Sequence, residues 1–174
     1  MLNFKISSSI IGCRLICSLA FGCFTLITAE HAQANHVVGA EITYVCIGND
    51  QYIIRLNFYR DCSGIPAPGS IIVYITSSCT SLDSVMMFPT ADSPVDSISP
   101  ECANSTQQST CHGGNLVGVE RWTYVDTVTI NQPCADWRFS WSTCCRNTAI
   151  TNIQNPGSES MYISALLKIG RAHV

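Results

Sequence analysis

The sequence predicts an all-β fold, an immunoglobulin-like antiparallel β-sandwich with one long stapled loop, and three observations predict it. Apolar residues recur with a period of two and nowhere with the 3.6-residue period of a helix of three turns. Turn residues separate these runs at short spacing, and an even set of cysteines follows an N-terminal leader.

The first strand is AEITYVC (40–46), with Ala40, Ile42, Tyr44 and Cys46 on one side and Glu41, Thr43 and Val45 on the other. Gly48-Asn49-Asp50 supplies a turn into QYIIRLNFYRDC (51–62), where Tyr52, Ile54, Leu56 and Phe58 share a face, so the two read as a hairpin. SGIPAPGS (63–70) breaks the pattern, and the β-branched run IIVYITSS (71–78) resumes it. Residues 79–118 are rich in Ser, Thr, Pro, Asp and Asn, with one apolar island at Val85-Met86-Met87-Phe88. They are expected to be a long excursion, with at most one edge strand, tied down by Cys79, Cys102 and Cys111. ERWTYVDTVTI (120–130) alternates again, with Asp126 breaking its apolar parity, and DWRFSWSTCCR (136–146) places Trp137, Phe139 and Trp141 on one face. MYISALLK (161–168), after the Asn155-Pro156-Gly157 turn signal, is the last strand.

The N-terminus fixes the expected compartment. Lys5 and Arg14 accompany an apolar run (16–28) that ends near Ala32-Gln33-Ala34, a small-x-small cleavage signal, so residues 1–34 read as a signal peptide. An uncleaved anchor is the alternative, but the run is shorter than the roughly 18 apolar residues of a membrane span. The β-sandwich module is expected over 35–168, with no membrane span after cleavage. IGRAHV (169–174) follows without turn or cap and matches the translation of a sequencing-library adapter, so it is read as foreign to the protein and the parent as truncated.

Between residues 35 and 168 there are six basic and eleven acidic side chains, a net charge of −5. No basic stripe is present to follow a phosphate backbone, which argues against nucleic acid. Cys13, Cys17 and Cys23 leave with the leader, and Cys46, Cys62, Cys79, Cys102, Cys111, Cys134, Cys144 and Cys145 remain as disulfide candidates in an oxidising compartment.

The adjacent pair Cys144-Cys145 is the one local arrangement that looks chemically special. Adjacent residues on a strand point to opposite faces, so Cys145 is expected to face the core with Trp137, Phe139 and Trp141, and each cysteine to pair with a distant partner. A redox or metal role is the alternative, yet the chain after the leader has no Cys-x-x-Cys, and Cys111-His112 lacks a second ligand pair at zinc spacing. Neither Gly69-Ser70 nor Gly157-Ser158 fits a nucleophile elbow, Asp92 and Asp96 read as solvated acids, and no Asp-x-Asp-x-Asp-Gly calcium loop occurs. No enzyme is expected, and no cofactor or metal.

Three stretches carry a resemblance: HVVGAEITYVCIGNDQYIIRLNFYRDCSGIP, STCHGGNLVGVERWTYVDTVTI and PCADWRFSWSTCCRNTAITNIQNPGSESMYISA, with YRDCSG and CCRN the most specific parts. Together they resemble the N-terminal module of large secreted Bacteroidota surface proteins, many with gliding-motility-associated sorting domains and repeated immunoglobulin-like domains, including polycystic-kidney-disease-type ones. The resemblance implies a β-rich module that is exported by type IX secretion to the medium or outer cell surface and has no catalytic residue. It also makes Asp83-Ser84-Val85, Asp96-Ser97-Ile98 and Asp126-Thr127-Val128 similar to the Asp-Ser/Thr-apolar acceptor of bacterial O-glycosylation, with Ser84, Ser97 and Thr127 as the acceptors.

The expected function is that of a non-catalytic extracellular module for adhesion or gliding. Its partners would be the secretion machinery and surface polysaccharide or other cell-surface proteins. The alternative is a carbohydrate- or other ligand-binding domain, with its site in the 79–118 excursion or on aromatics such as Tyr59 and Tyr74. A thiol-redox or metal protein is the third reading.

Overall fold

The computed structural model describes residues 37–95, 98–99, 102–147 and 150–167. The expected leader (1–34), the tail at 169–174 and the acceptor Ser97 lie outside them. Seven strands form the fold: β1 (Val37–Gly48), β2 (Gln51–Asp61), β3 (Ile71–Ser77), β4 (Thr80–Pro89), β5 (Val119–Thr129), β6 (Trp137–Thr143) and β7 (Met161–Leu167). They make one antiparallel sheet in the order β1-β2-β5-β4-β3-β6-β7, with no helix beyond short 3-10 turns among the described residues. The sheet curls nearly into a barrel, and the Tyr44 hydroxyl of β1 donates to the Leu166 carbonyl of β7 at 3.1 Å.

The hairpin β1–β2 follows from its turn. Asn49 and Asp50 both take positive φ, 52° and 56°, between the paired ends Gly48 and Gln51. This is the two-residue turn whose twist matches that of the strands, and Asn and Asp tolerate it better than most side chains. The inner faces then carry what alternation assigned them, Tyr52, Ile54, Leu56 and Phe58 from β2 and Trp137, Phe139 and Trp141 from β6, together with Ile71, Val73 and Ile75 from β3, all buried. Edge-to-face aromatic pairs join the two halves across the core, Tyr44 to Phe139 at 5.7 Å and Phe58 to Trp141 at 5.8 Å between ring centroids.

Two expectations need correction. β4 is a ten-residue strand in the interior of the sheet, paired with both β3 and β5, and not an edge at the start of a long loop. Its alternation was hidden because its outward side chains Met86 and Phe88 are as apolar as the buried Met87 between them. β6 ends at Thr143, so the strand rule that sent Cys144 and Cys145 to opposite faces does not reach them.

The YRDCSG stretch is architectural. Arg60 donates to Glu120 Oε1 at 2.6 Å and to the carbonyls of Cys62 and Gly64, while the Trp122 indole N–H donates to the same carboxylate oxygen at 2.6 Å. Asp61 accepts from both the backbone N–H and the hydroxyl of Ser63, which tightens the turn after β2. The Pro-rich loop beyond it is tied to β5 by the Tyr124 hydroxyl, which donates to the Pro68 carbonyl at 2.6 Å. Burial pushes that phenol up to about 12, so it stays a donor at any ordinary pH.

The side chains of Arg60 and Glu120 are each only 12% exposed, so removing one partner strands the other. Glu120→Ala is expected to cost about 3 kcal/mol, because it leaves a guanidinium without its counter-charge and an indole N–H without an acceptor. Glu120→Gln, which keeps an acceptor, is expected to cost less, and urea unfolding of the oxidised chain measures both.

Candidate functional site: a cleft between two strand edges

β5 is paired along its whole length with β2, so its opposite edge must find partners elsewhere. From Val125 back to Val119 it does: Phe88 and Pro89 pair with Val125 and Tyr124, and Thr90 donates to the Thr123 carbonyl. Ser93 caps Thr123, Val95 exchanges two backbone bonds with Arg121, and the Ser99 hydroxyl serves Val119. Beyond Val125 the ladder stops, because β4 turns away to follow β3.

Two edges therefore diverge. On β5 the Thr127 N–H is held by its own neighbour, the Asp126 carboxylate, at 2.6 Å. On β4 the Ser84 N–H is held in the same way by the Asp83 carboxylate at 2.7 Å. Between the edges lies a cleft of about 380 Å³. Its floor is apolar, made of Ile75, Val85, Val128, Ile130 and Trp137, and its rim is polar, with Thr80, Asp83, Ser84, Thr129, Asn131 and Gln132. Asp83 is the one charged side chain in that lining.

The rim is braced from outside. Cys79, in the β3–β4 turn, pairs with Cys134, in the β5–β6 loop, with α-carbons 6.2 Å apart. Asp136 spans the same two loops, accepting from the Ser77 hydroxyl at 2.6 Å and the Ser78 N–H at 2.9 Å. The Ser77 hydroxyl first, and Ser78 after it, hold the Asp136 carboxyl below the usual carboxylate range.

Beside the cleft the outer face of β3 and β4 is apolar. Ile72 and Tyr74 are each 42% exposed, Met86 is 51% and Phe88 60% exposed, and Ile72 sits directly across from Met86. Four such side chains in register form a contiguous patch, unlike a scatter of single exposed apolar residues.

The eight cysteines from Cys46 to Cys145 divide unevenly. Besides Cys79–Cys134, a bridge joins Cys62 to Cys111, α-carbons 4.9 Å apart, and fastens the 3-10 turn Thr110–His112 to the end of β2. Gly118 makes room for this bridge, since a side chain there would lie 2.6 Å from the Cys111 sulfur. Cys144 and Cys145 pair with each other, their α-carbons 3.7 Å apart, and not with distant cysteines. The reason is local: past the end of β6 the chain turns through Cys145 at a φ of 76°, and its N–H donates to the Glu159 carbonyl, so both sulfurs stay in one turn. Nor does Cys145 join the buried core. Cys46 and Cys102 are exposed and unbridged, so Cys102 does not tie down the 90–118 segment.

Of the expected glycan acceptors, Ser84 and Thr127 are both exposed; Ser84 lines the cleft, and Thr127 lies on β5 next to the lining residue Val128. Of the expected ligand-binding aromatics, Tyr74 lies on the exposed patch, whereas the Tyr59 hydroxyl is committed to Glu41 at 2.8 Å. His112 shares a hydrogen bond between its Nδ1 and the Ser109 hydroxyl at 3.1 Å. Among the described residues there is no group of three or more His, Cys, Asp or Glu side chains that could hold a metal ion. Nor does any described helix have the length and apolarity to cross a membrane. Sequence reading missed the cleft itself and the bracing by Asp136, because both join segments that are more than forty residues apart.

Compared with protein-family models, with curated proteins and with solved structures, the chain shows no significant match to any.

Alkylation of the folded, unreduced chain is expected to label Cys46 and Cys102 and none of the other six, with Cys144 and Cys145 recovered oxidised within one peptide. A cross-linked peptide pairing either of them elsewhere would contradict this. For Asp136 the sign of the pH dependence is set by its lowered carboxyl: its stabilisation is fully present above the ordinary value of 3.8 and is lost as pH falls through the lower, folded-state value. The stability gap between the parent and Asp136→Asn should therefore hold constant from neutral pH to about pH 5 and close in more acid solution, as read by urea unfolding at a series of pH values.

Proposed function

We propose that this chain is a non-catalytic extracellular module of immunoglobulin-like type, carried by a secreted or cell-surface protein, that binds other surface molecules through the outer face of β3 and β4. The observation that carries the reading is the contiguous patch of Ile72, Tyr74, Met86 and Phe88, which no part of the described chain covers. Monomeric soluble proteins rarely leave such a patch without a use for it.

The immunoglobulin-like part is supported by strand order. Constant-type immunoglobulin sheets run A-B-E-D and C-F-G, and strands numbered in sequence give β1-β2-β5-β4 followed by β3-β6-β7, the order found here. Export is supported by the leader pattern and by three cysteine pairs, which suit an oxidising compartment. An outer cell surface or the medium as its location, and adhesion or gliding as its role, are supported by the resemblance to Bacteroidota surface modules alone. It also marks Ser84 and Thr127 as sites for O-linked sugar.

Carbohydrate binding is the second reading, favoured by the exposed Tyr74 ring with the exposed hydroxyl residue Ser84 paired beside it. Aromatic faces of this kind stack on sugar rings while neighbouring hydroxyls take the polar edges.

The double substitution Met86→Glu and Phe88→Glu is expected to lower binding of the fluorescently labelled chain to whole cells of the producing organism by roughly thirty-fold, the loss of a central contact at an interface. Thermal unfolding should barely move, because both side chains are largely in solvent. Full binding by this variant would remove the patch from the interface, and Tyr74→Ala with a glycan array separates the sugar reading from the protein one.

A further inference from the structure

We propose that the cleft between β4 and β5 takes an extended peptide as an added strand, and that the peptide it selects carries both aliphatic and basic side chains on its inward face. This rests on the reading of the neighbouring face as a binding surface and names the chemistry of the partner.

The backbone identifies the class of ligand. Past the last paired residues, Phe88 and Val125, the edges of β4 and β5 run open for four residues each, to Ser84 and Thr129, about 13 Å of strand. Residues of alternate parity turn their N–H and C=O groups to the gap: Ser84 and Met86 on one side, Thr127 and Thr129 on the other. The direction is fixed on β5 by Ile130, whose N–H donates the opposite way, to Asp50 on the β2 side. It is fixed on β4 by Phe88, the residue that meets β5. Only an extended polypeptide offers donors and acceptors at this spacing on both of its sides, which is how strand addition recognises its ligands.

The lining selects the side chains. A strand in the gap would send alternate side chains inward, over Ile75, Val85, Val128, Ile130 and Trp137, where aliphatic groups fit, and Asp83 and Asp126, which share strand parity with Val85 and Val128, flank that same inward face. Asp83 is in the cleft lining, Asp126 caps the neighbouring Thr127 N–H, and no basic residue is in the lining, so a Lys or Arg at an inward position beside them is matched in charge. These carboxylates also guard the site. Each now caps the edge N–H that follows it, blunting the edge against unselected strands. A ligand that carries Lys or Arg gives the displaced carboxylates a new partner, while a neutral or acidic strand leaves them without one.

The test uses the oxidised full chain and a blocked heptapeptide, Thr-Val-Thr-Lys-Thr-Val-Thr, with backbone hydrogen exchange read by NMR and affinity by calorimetry. Saturating peptide is expected to slow exchange at Met86 and Thr129 by about tenfold or more. Asp83→Asn should weaken the peptide by about two- to five-fold, the worth of a partly exposed ion pair. The same peptide with its valines replaced by glutamate, or with alternate backbone nitrogens methylated, should not bind. Absence of protection at millimolar peptide, or equal protection by the methylated peptide, overturns the proposal. Protection of these amides by a glucan oligosaccharide and not by peptide overturns it too and assigns the cleft to sugar. A chain that fails here yet loses cell binding through Met86→Glu and Phe88→Glu keeps its role as a surface-binding module and loses only the peptide.

Discussion

The whole sheet depends on one element: β4 pairs with both β3 and β5, but along different parts of its ten residues. It follows β3 from Thr80 to Met87 and reaches β5 only at Phe88 and Pro89. That short second contact joins the half of the fold containing β1, β2 and β5 to the half containing β3, β6 and β7. Where β4 leaves β5, backbone groups on both strands lose the partners that a continuous sheet would give them. The segment after β4 serves the edge of β5 in one direction, through Thr90, Ser93, Val95 and Ser99. In the other direction the gap stays open and becomes the cleft.

The cross-links follow the same geometry. Cys79–Cys134 and Asp136 hold together the two loops that flank the gap, at the end of the fold where no ladder does so. Cys62–Cys111 and the Arg60–Glu120–Trp122 cluster do the corresponding work at the other end, fixing the turn after β2 to the start of β5. Hydrophobic burial holds the middle of the fold, and covalent and charge-assisted contacts hold its two ends, where the strands diverge and less apolar surface is available to bury.

Legibility tracked how locally each feature is encoded. The hairpin β1–β2 could be read directly, since Asn49-Asp50 has the chemistry of a two-residue turn and both strands alternate polar and apolar residues. Asp126, which interrupted the pattern of β5, sits where that strand loses its neighbour, so the break in periodicity marked a real break in pairing. β4 was under-read because a period of two requires contrast between faces, and here both faces are apolar. Cys144-Cys145 was misread because strand parity was extended past the end of the strand, into a turn where side-chain direction no longer alternates. Ser84 and Thr127 were singled out as separate short motifs, and nothing in either tripeptide indicates that they lie on strands that diverge around one cleft.

By itself the sequence determined the strand class, the inward side chains of β2 and β6, and the turn that pairs β1 with β2, because alternation and turn propensity act over a few residues. Only the tertiary structure decided which cysteines meet, which strand serves both halves of the sheet, and that two capped edges enclose a cleft beside an apolar face. Those outcomes depend on segments far apart in the chain being brought together. Strand order sets that proximity, and no short stretch of residues specifies strand order.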